Sequence, residues 1–368
     1  MKILITGYNG FVGKNLRFYL MENGYSNIDV LGREHSDVEL QKFVSEADFI
    51  FHLAGVNRPK DEIEYNQGNI DLTQRVIDTL IETGRKTPLV LTSSIQVKSD
   101  NAYGRSKAQA EKLVKSYTHH TGAPTYIYRL PNVFGKWCKP NYNSAVATFC
   151  YNTVHDLPIN IHDASAELSL VYIDDVCISM VSLLKKNEIG GYKEVTPVYK
   201  STVGDVVNLI RKFKESRINL ITENVGTGLT RALYSTYLSY IPPSDFSYDL
   251  CGHNDPRGTF VEVLKTHSSG QFSFFTAHPG VTRGGHYHHT KNEKFLVIKG
   301  KARYCFKNIL TGEKFEIISD ASQFSIIETI PGWAHDITNV GTEELIVMLW
   351  ANEIFDRSKP DTIASTLE

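Results

Sequence analysis

Apolar positions in the first third of the chain come in short, nearly continuous runs, each followed by a stretch with helical spacing. KILIT, DVLGR, ADFIFHLA and PLVLTSS alternate with VGKNLRFYLMEN, NIDLTQRVIDTLIETG and AYGRSKAQAEKLVKSYTHHTG. Strand then helix, repeated, predicts a doubly wound α/β parallel sheet over residues 1 to about 135. The runs carry little polar alternation, as expected where helices cover both faces of a sheet. From about 136 to 243 the pattern is mixed, with helices expected in PNYNSAVATFCYN and DDVCISMVSLLKK and a strand in LSLVYI. After about residue 256 short strands follow one another between glycine turns (GTFVEVLKT, QFSFFTAH, EKFLVIKG, KARYCFKN, EKFEIIS, SQFSIIET, ELIVMLWAN), which predicts an all-β sandwich or barrel. YIPPSDFSYDLCG, with two prolines and no periodicity, lies between the two patterns. The expected organisation is an α/β domain over 1–243, a linker over 244–251 and a β domain over 252–368.

Composition narrows the function classes. The 368 residues include 39 Lys plus Arg against 41 Asp plus Glu, a net charge of −2, with no basic block to follow a phosphate backbone, so nucleic acid is not an expected partner. No apolar run approaches the roughly 20 residues of a membrane span. The opening MKILITGYNGFVG is interrupted by glycines too early for a signal peptide, and a cytoplasmic protein is expected. The five cysteines form no CxxC and are read as reduced.

Gly7-Tyr8-Asn9-Gly10-Phe11-Val12-Gly13 follows a strand pattern and opens a helix pattern. Glycines there let the backbone turn tightly and approach a pyrophosphate, whose charge then faces a helix N-terminus. At the end of the second strand stands Leu31-Gly32-Arg33, with a guanidinium where an acid would favour ribose hydroxyls. Arginine pairs well with a 2′-phosphate, which favours NADPH. Tyr103 and Lys107 are four apart at the start of a helix, on one face. An ammonium there favours the phenolate, so the phenol can pass a proton to an alkoxide as hydride reaches a carbonyl carbon.

GxxGxxG at residues 7–13, His52-Leu53-Ala54-Gly55, Ser94, YxxxK at 103–107 and Arg129-Leu130-Pro131-Asn132-Val133-Phe134-Gly135 together resemble the extended short-chain dehydrogenase/reductases that act on nucleotide sugars. The resemblance covers about residues 1–243. It implies a Rossmann fold in which Ser94 orients a substrate carbonyl, Tyr103 is the acid and Lys107 tunes it. It further implies that Gly7, Asn9, Gly10, Phe11, Val12, Gly13, Leu53, Ala54, Gly55 and Arg129 serve the cofactor, that Asn69 and Thr73 support the site, and that Tyr172 to Asp175 lie near the sugar nucleotide. Only eight residues separate Ser94 from Tyr103, which leaves Ser93 as an alternative. The Thr-Asp-Glu of the family's 4,6-dehydratases is absent, which points to reduction or epimerisation.

In the β domain His286 and His288 are two apart and emerge on one strand face, with Glu293 and His335 downstream. Three imidazoles and a carboxylate suit zinc or another divalent first-row metal. His289 points the other way. The spacing resembles both cupin motifs, and DPRGTFVE with VTRGGH resembles the sugar-nucleotide 3,5-epimerase branch of the cupins, in which the histidine matching His286 is a metal-free base. His286 therefore reads as metal ligand or general base, with Tyr304, Lys265 and Asp336 as proton-donor alternatives.

Taken together, the chain resembles the bifunctional bacterial capsule-sugar enzymes that join an extended short-chain dehydrogenase/reductase to a C-terminal cupin barrel. That resemblance implies C3 epimerisation of a UDP-linked 4-keto-6-deoxy-L-hexosamine in the cupin. NADPH-dependent reduction at C4 would then give UDP-2-acetamido-2,6-dideoxy-L-talose, on the way to N-acetyl-L-fucosamine, by a homodimer. The alternatives are a dTDP-4-keto-sugar 3,5-epimerase/4-ketoreductase, or a non-catalytic NADPH-sensing protein that binds a saccharide.

Overall fold

The computed structural model describes residues 1–59, 61–185 and 189–367. The chain divides into two compact units, Met1–Ile210 with Ala232–Ile241 and Arg211–Arg231 with Pro242–Glu368.

The first unit contains strands β1 (Ile3–Thr6), β2 (Ile28–Leu31), β3 (Phe49–His52), β4 (Leu89–Ser94), β5 (Thr125–Leu130), β6 (Asn132–Phe134), β7 (Glu167–Tyr172), β8 (Gly191–Lys193) and β9 (Tyr199–Thr202). Its helices are α1 (Phe11–Glu22), α2 (Asp37–Glu46), α3 (Ile63–Tyr65), α4 (Leu72–Glu82), α5 (Ala102–Thr121), α6 (Ala145–Val154) and α7 (Ile173–Ser182). Two more, α8 (Val203–Asn219) and α9 (Gly228–Leu238), follow in the chain. Six strands form one parallel sheet in the order β2-β1-β3-β4-β5-β8. Strand alternation puts Ile3, Ile5 and Phe51 on one face with Leu16 and Leu20 of α1 and Met180 of α7. Leu4, Ile50 and Leu91 meet Val44 of α2, Leu80 of α4 and Val114 of α5 on the other. Each such side chain, fully buried, contributes about 1.5–3 kcal/mol. β1, β3 and β4 end at Thr6, His52 and Ser94, so their carboxyl ends form the crevice where ligands of open α/β sheets bind.

The second unit contains β10 (Gly252–Asp255), β11 (Gly258–Thr266), β12 (Gly270–Ala277), β13 (Thr282–Tyr287), β14 (Glu293–Lys299), β15 (Lys301–Asn308), β16 (Lys314–Asp320), β17 (Ile327–Glu328), β18 (Trp333–Asn339), β19 (Leu345–Ala351) and β20 (Ile363–Ala364). They form two sheets, β10-β11-β12-β19-β14-β17 and β16-β15-β18-β13-β20. Phe275, Phe295, Val297, Tyr304, Ile337 and Val347 belong to its core. β13 carries a bulge against β18: Gly284 pairs with Asp336, and His286, two residues on, pairs with His335. Gly284 and Gly285 hold φ of +101° and +81°, which a side chain would resist.

Arg211–Arg231 was expected in the first domain and is grouped with the second unit instead. Ile221 forms a parallel bridge with Lys265, and the Arg217 guanidinium donates to the Asp245 and Ser247 carbonyls. No described helix is long and apolar enough to cross a membrane.

Candidate active site and metal centre

Gly7 leaves β1 with φ +69°, and a Cβ there would come within 2.7 Å of the Ala54 backbone. A Cβ on Gly13 would meet the Gly7 carbonyl at 2.4 Å. Glycine is therefore required at both positions, and α1 starts directly over the turn with its N–H groups and positive end free for a pyrophosphate. Gly7, Asn9, Gly10, Arg33, Leu53, Ala54 and Gly55 line a cleft of about 800 Å³. Phe11 and Val12 pack against the core below it, and Gly13 is buried in α1.

Ser94 ends β4, and its hydroxyl accepts from the Gln96 N–H at 3.1 Å while also bonding the Tyr103 phenol. Asn101 caps α5 by accepting from the Gly104 N–H at 2.7 Å, which sets Tyr103 in the first turn and Lys107 one turn on. Lys107 is buried with its ammonium against Gly55, where a Cβ would lie 3.2 Å from Nζ. Burial lowers its pKa to about 8, against an opposing pull from Glu111. The Tyr103 phenol is raised, not lowered as expected from the lysine: burial dominates, Ser94 opposes it and Tyr65 adds to it.

A directional chain of hydrogen bonds lies beneath these groups. The Ala54 N–H donates to Thr6 Oγ1, which meets His52 Nδ1 at 2.8 Å. His52 Nε2 meets Thr73 Oγ1 at 2.9 Å, and Thr73 donates to the Asn69 carbonyl at 2.6 Å. With Thr73 donating onward, His52 must carry its proton on Nε2 and accept at Nδ1. Burial, with Lys107 nearby, lowers His52 to about 3, so it remains neutral. Asn69 lies in a π-helical turn, Asn66–Asp71, and bonds the Val56 N–H and carbonyl and the Ser106 hydroxyl. Such turns are frequent at functional sites.

In the second unit the ligand atoms of His286, His288, Glu293 and His335 all lie within 4.8 Å of one another. The bulge makes this possible by bringing His286 into register with His335. Glu293 Oε2 is 3.3 Å from His288 Nε2 and 3.4 Å from His335 Nε2, while Oε1 takes the Lys291 ammonium at 2.8 Å. These contacts hold the carboxyl well below its usual range despite its burial. Burial, with His335 adjacent, lowers His286 to about 4. Neither ring nitrogen of the buried His335 makes a well-formed hydrogen bond among the described residues. Three clustered imidazoles, one carboxylate and an orphaned buried nitrogen fit a divalent metal.

The NAD dependent epimerase/dehydratase family matches residues 3–196. The chain belongs to that family. Within the epimerase/dehydratase family it is of the CapF type, an extended short-chain dehydrogenase/reductase followed by a cupin-like unit. The polysaccharide biosynthesis C-terminal domain matches residues 253–363. The chain is 55% identical over 368 residues to UDP-2-acetamido-2,6-beta-L-arabino-hexul-4-ose reductase of Pseudomonas aeruginosa, covering 100% of this chain and 99% of that one. The crystal structure of the capsular polysaccharide assembling protein CapF from Staphylococcus aureus superposes with a TM-score of 0.91 at 41% identity, covering all of both chains. UDP-glucuronic acid 4-epimerase from Bacillus cereus, in complex with NAD, shares the fold at 20% identity and a TM-score of 0.55, over 66% of this chain and 98% of that one.

Arg129, read from the sequence as a cofactor residue, donates to Glu111 at 2.9 and 2.7 Å and covers the Tyr192 ring. Ser93, the alternative to Ser94, also donates to Glu111, at 2.6 Å. Asp336 follows His335 on β18 and so faces away from the imidazoles, beside Arg303 and Cys305. Lys265 is paired with Glu262 at 3.0 Å, whereas the buried Tyr304 hydroxyl makes no hydrogen bond among the described residues. In the segment after α6, Asp174 pairs with Lys136 at 2.5 Å.

Glu34 lines the cleft although the sequence pattern did not single it out. The Glu34 carboxylate folds back to within 2.4 Å of where a Gly32 Cβ would be, and accepts from the Tyr8 hydroxyl at 2.8 Å. An acid therefore stands at the end of β2 after all. The available signal was Gly32, which leaves room for a side chain two residues later.

Proposed function

We propose that this chain reduces the C4 ketone of a UDP-linked 2-acetamido-2,6-dideoxy-4-ketohexose with NADPH, after its second unit has inverted C3 of that sugar. The product would be UDP-2-acetamido-2,6-dideoxy-L-talose for capsular polysaccharide, made by a cytoplasmic homodimer. The observation that carries this reading is the Lys107 ammonium lying against Gly55 in the dinucleotide cleft, with Tyr103 one turn before it on the same helix. Full-length identity to the Pseudomonas reductase supports the substrate class.

Gly7, Gly10 and the cleft beside them would hold NADPH, which would supply the hydride for C4. The Ser94 hydroxyl orients the carbonyl, and the Tyr103 O–H gives its proton to the developing C4 alkoxide, leaving a phenolate. Lys107, cationic below its pKa of about 8, stabilises that phenolate, so its influence is exerted during the reaction and not on the resting phenol. Arg33, which lines the same cleft, supports the phosphorylated coenzyme, with Glu34 beside it accepting from the Tyr8 hydroxyl.

In the second unit His286, His288, Glu293 and His335 would hold zinc or another divalent ion, which supplies Lewis acidity toward the C4 oxygen. The C3 proton is acidified by that ketone, so inversion must come before reduction.

The test is Tyr103→Phe assayed two ways. NADPH oxidation should fall by about 10²–10⁴-fold, while solvent deuterium exchange at C3 continues at the wild-type rate. Loss of both together would refute the division of labour.

A further inference from the structure

Asp361 lies outside every motif read from the sequence, yet it touches one residue of the metal cluster and the turn between two of them. Its main-chain carbonyl accepts from His288 Nδ1. Its carboxylate accepts three successive backbone N–H groups, from His289 at 3.0 and 3.1 Å, Thr290 at 2.6 Å and Lys291 at 2.8 Å, and the Thr290 hydroxyl at 3.1 Å. These donors hold the carboxyl far below the usual range. The residues that follow continue the attachment. β20 pairs with His286 and Tyr287 of β13, and the Ser365 N–H donates to the Gly285 carbonyl at 2.9 Å.

Each contact has a consequence for a ligand. A hydrogen bond from Nδ1 to a carbonyl fixes the His288 proton there, so Nε2 keeps its lone pair and faces Glu293. Three N–H groups converging on one carboxylate form an anion nest, here built from the turn between His288 and Glu293. The carboxylate therefore fixes the spacing of these two ligands, while the carbonyl of the same residue fixes the rotation of one.

We propose that Asp361 is a positioning residue for the metal centre, and that residues 361–365 are a strap that locks His286, His288 and Glu293 into one ligand set. The inference rests on the metal reading given above. It assigns a function to a segment that carries no metal-ligating side chain of its own.

The experiment compares wild type, Asp361→Ala and the isosteric Asp361→Asn, each full-length, stripped of metal and titrated with Zn²⁺ and with Co²⁺. Zinc affinity should weaken by about 10–100-fold in Asp361→Ala and by a smaller factor in Asp361→Asn. The visible ligand-field bands of the Co²⁺ form should shift and weaken in the same order, a change that general loosening far from the ligands would not produce. If Asp361→Ala fails to fold, Asp361→Asn carries the test. Wild-type affinity and an unchanged cobalt spectrum in the folded variants would overturn the inference and leave the metal reading intact. A wild-type protein that binds neither ion would overturn both.

Discussion

Lys107 brings an ammonium into a site where only 6% of the residue is exposed. Its folded pKa of about 8 lies below the ordinary 10.5, so between those values the unfolded chain holds the extra proton and stability rises with pH. Below pH 8 both states are protonated and the whole cost of burying the charge is present. Lys107→Met should therefore stabilise the protein by roughly 3 kcal/mol at pH 7, with the gain fading between pH 8 and 10.5, in urea unfolding at a series of pH values. The same variant should lose reductase activity. The glycine turn and the Tyr103/Lys107 pair were legible in the sequence because their logic is local: left-handed φ needs glycine, and a spacing of four puts two side chains on one face. The partners of Arg129, Glu34 and His52 were not, since each depends on side chains from other elements, such as Glu111 18 residues from Arg129 and Thr6 46 residues from His52.

α5 holds the reductive residues at its first turns, and its N-terminus depends on one side-chain cap. Asn101→Ala removes the acceptor for the Gly104 N–H and should cost about 1 kcal/mol in denaturant unfolding. The fraying falls on Tyr103, so single-turnover hydride transfer should slow by about tenfold, with coenzyme affinity nearly unchanged. The parallel strands of the first unit and most strands of the second follow the hydrophobic pattern closely. Two departures have physical causes. NIDLTQRVIDTLIETG reads as one helix, but its first residues adopt a π-helical turn, Asn66–Asp71, in which Asn69 bonds Val56 and Ser106. SQFSIIET reads as a full strand, yet only Ile327–Glu328 pairs, and Phe324 and Ile326 remain exposed.

At the scale of the whole molecule, two sites are built from residues of two separate units, so each ligand should stabilise its own unit. In calorimetry NADPH at about a hundred times its Kd should add about 2.7 kcal/mol to one transition, and a chelator should lower a different one; a single transition moved by both would contradict this. The α/β-then-β order was readable because periods of 3.6 and 2 do not resemble each other. The placement of Arg211–Arg231 was not, because it depends on a backbone bridge from Ile221 to Lys265. The doubled glycine of β13 has one more consequence. A slip of one residue turns a strand's side chains over. Deleting Gly285 would leave all four donors present, in order and nearly at the same spacing, so a motif search would score the shortened chain as unchanged. With Gly284 still opposite Asp336, His286 would then follow it directly and stay opposite His335, whereas a regular ladder that kept Gly285 would set that glycine opposite His335 and turn the His286 imidazole to the other face.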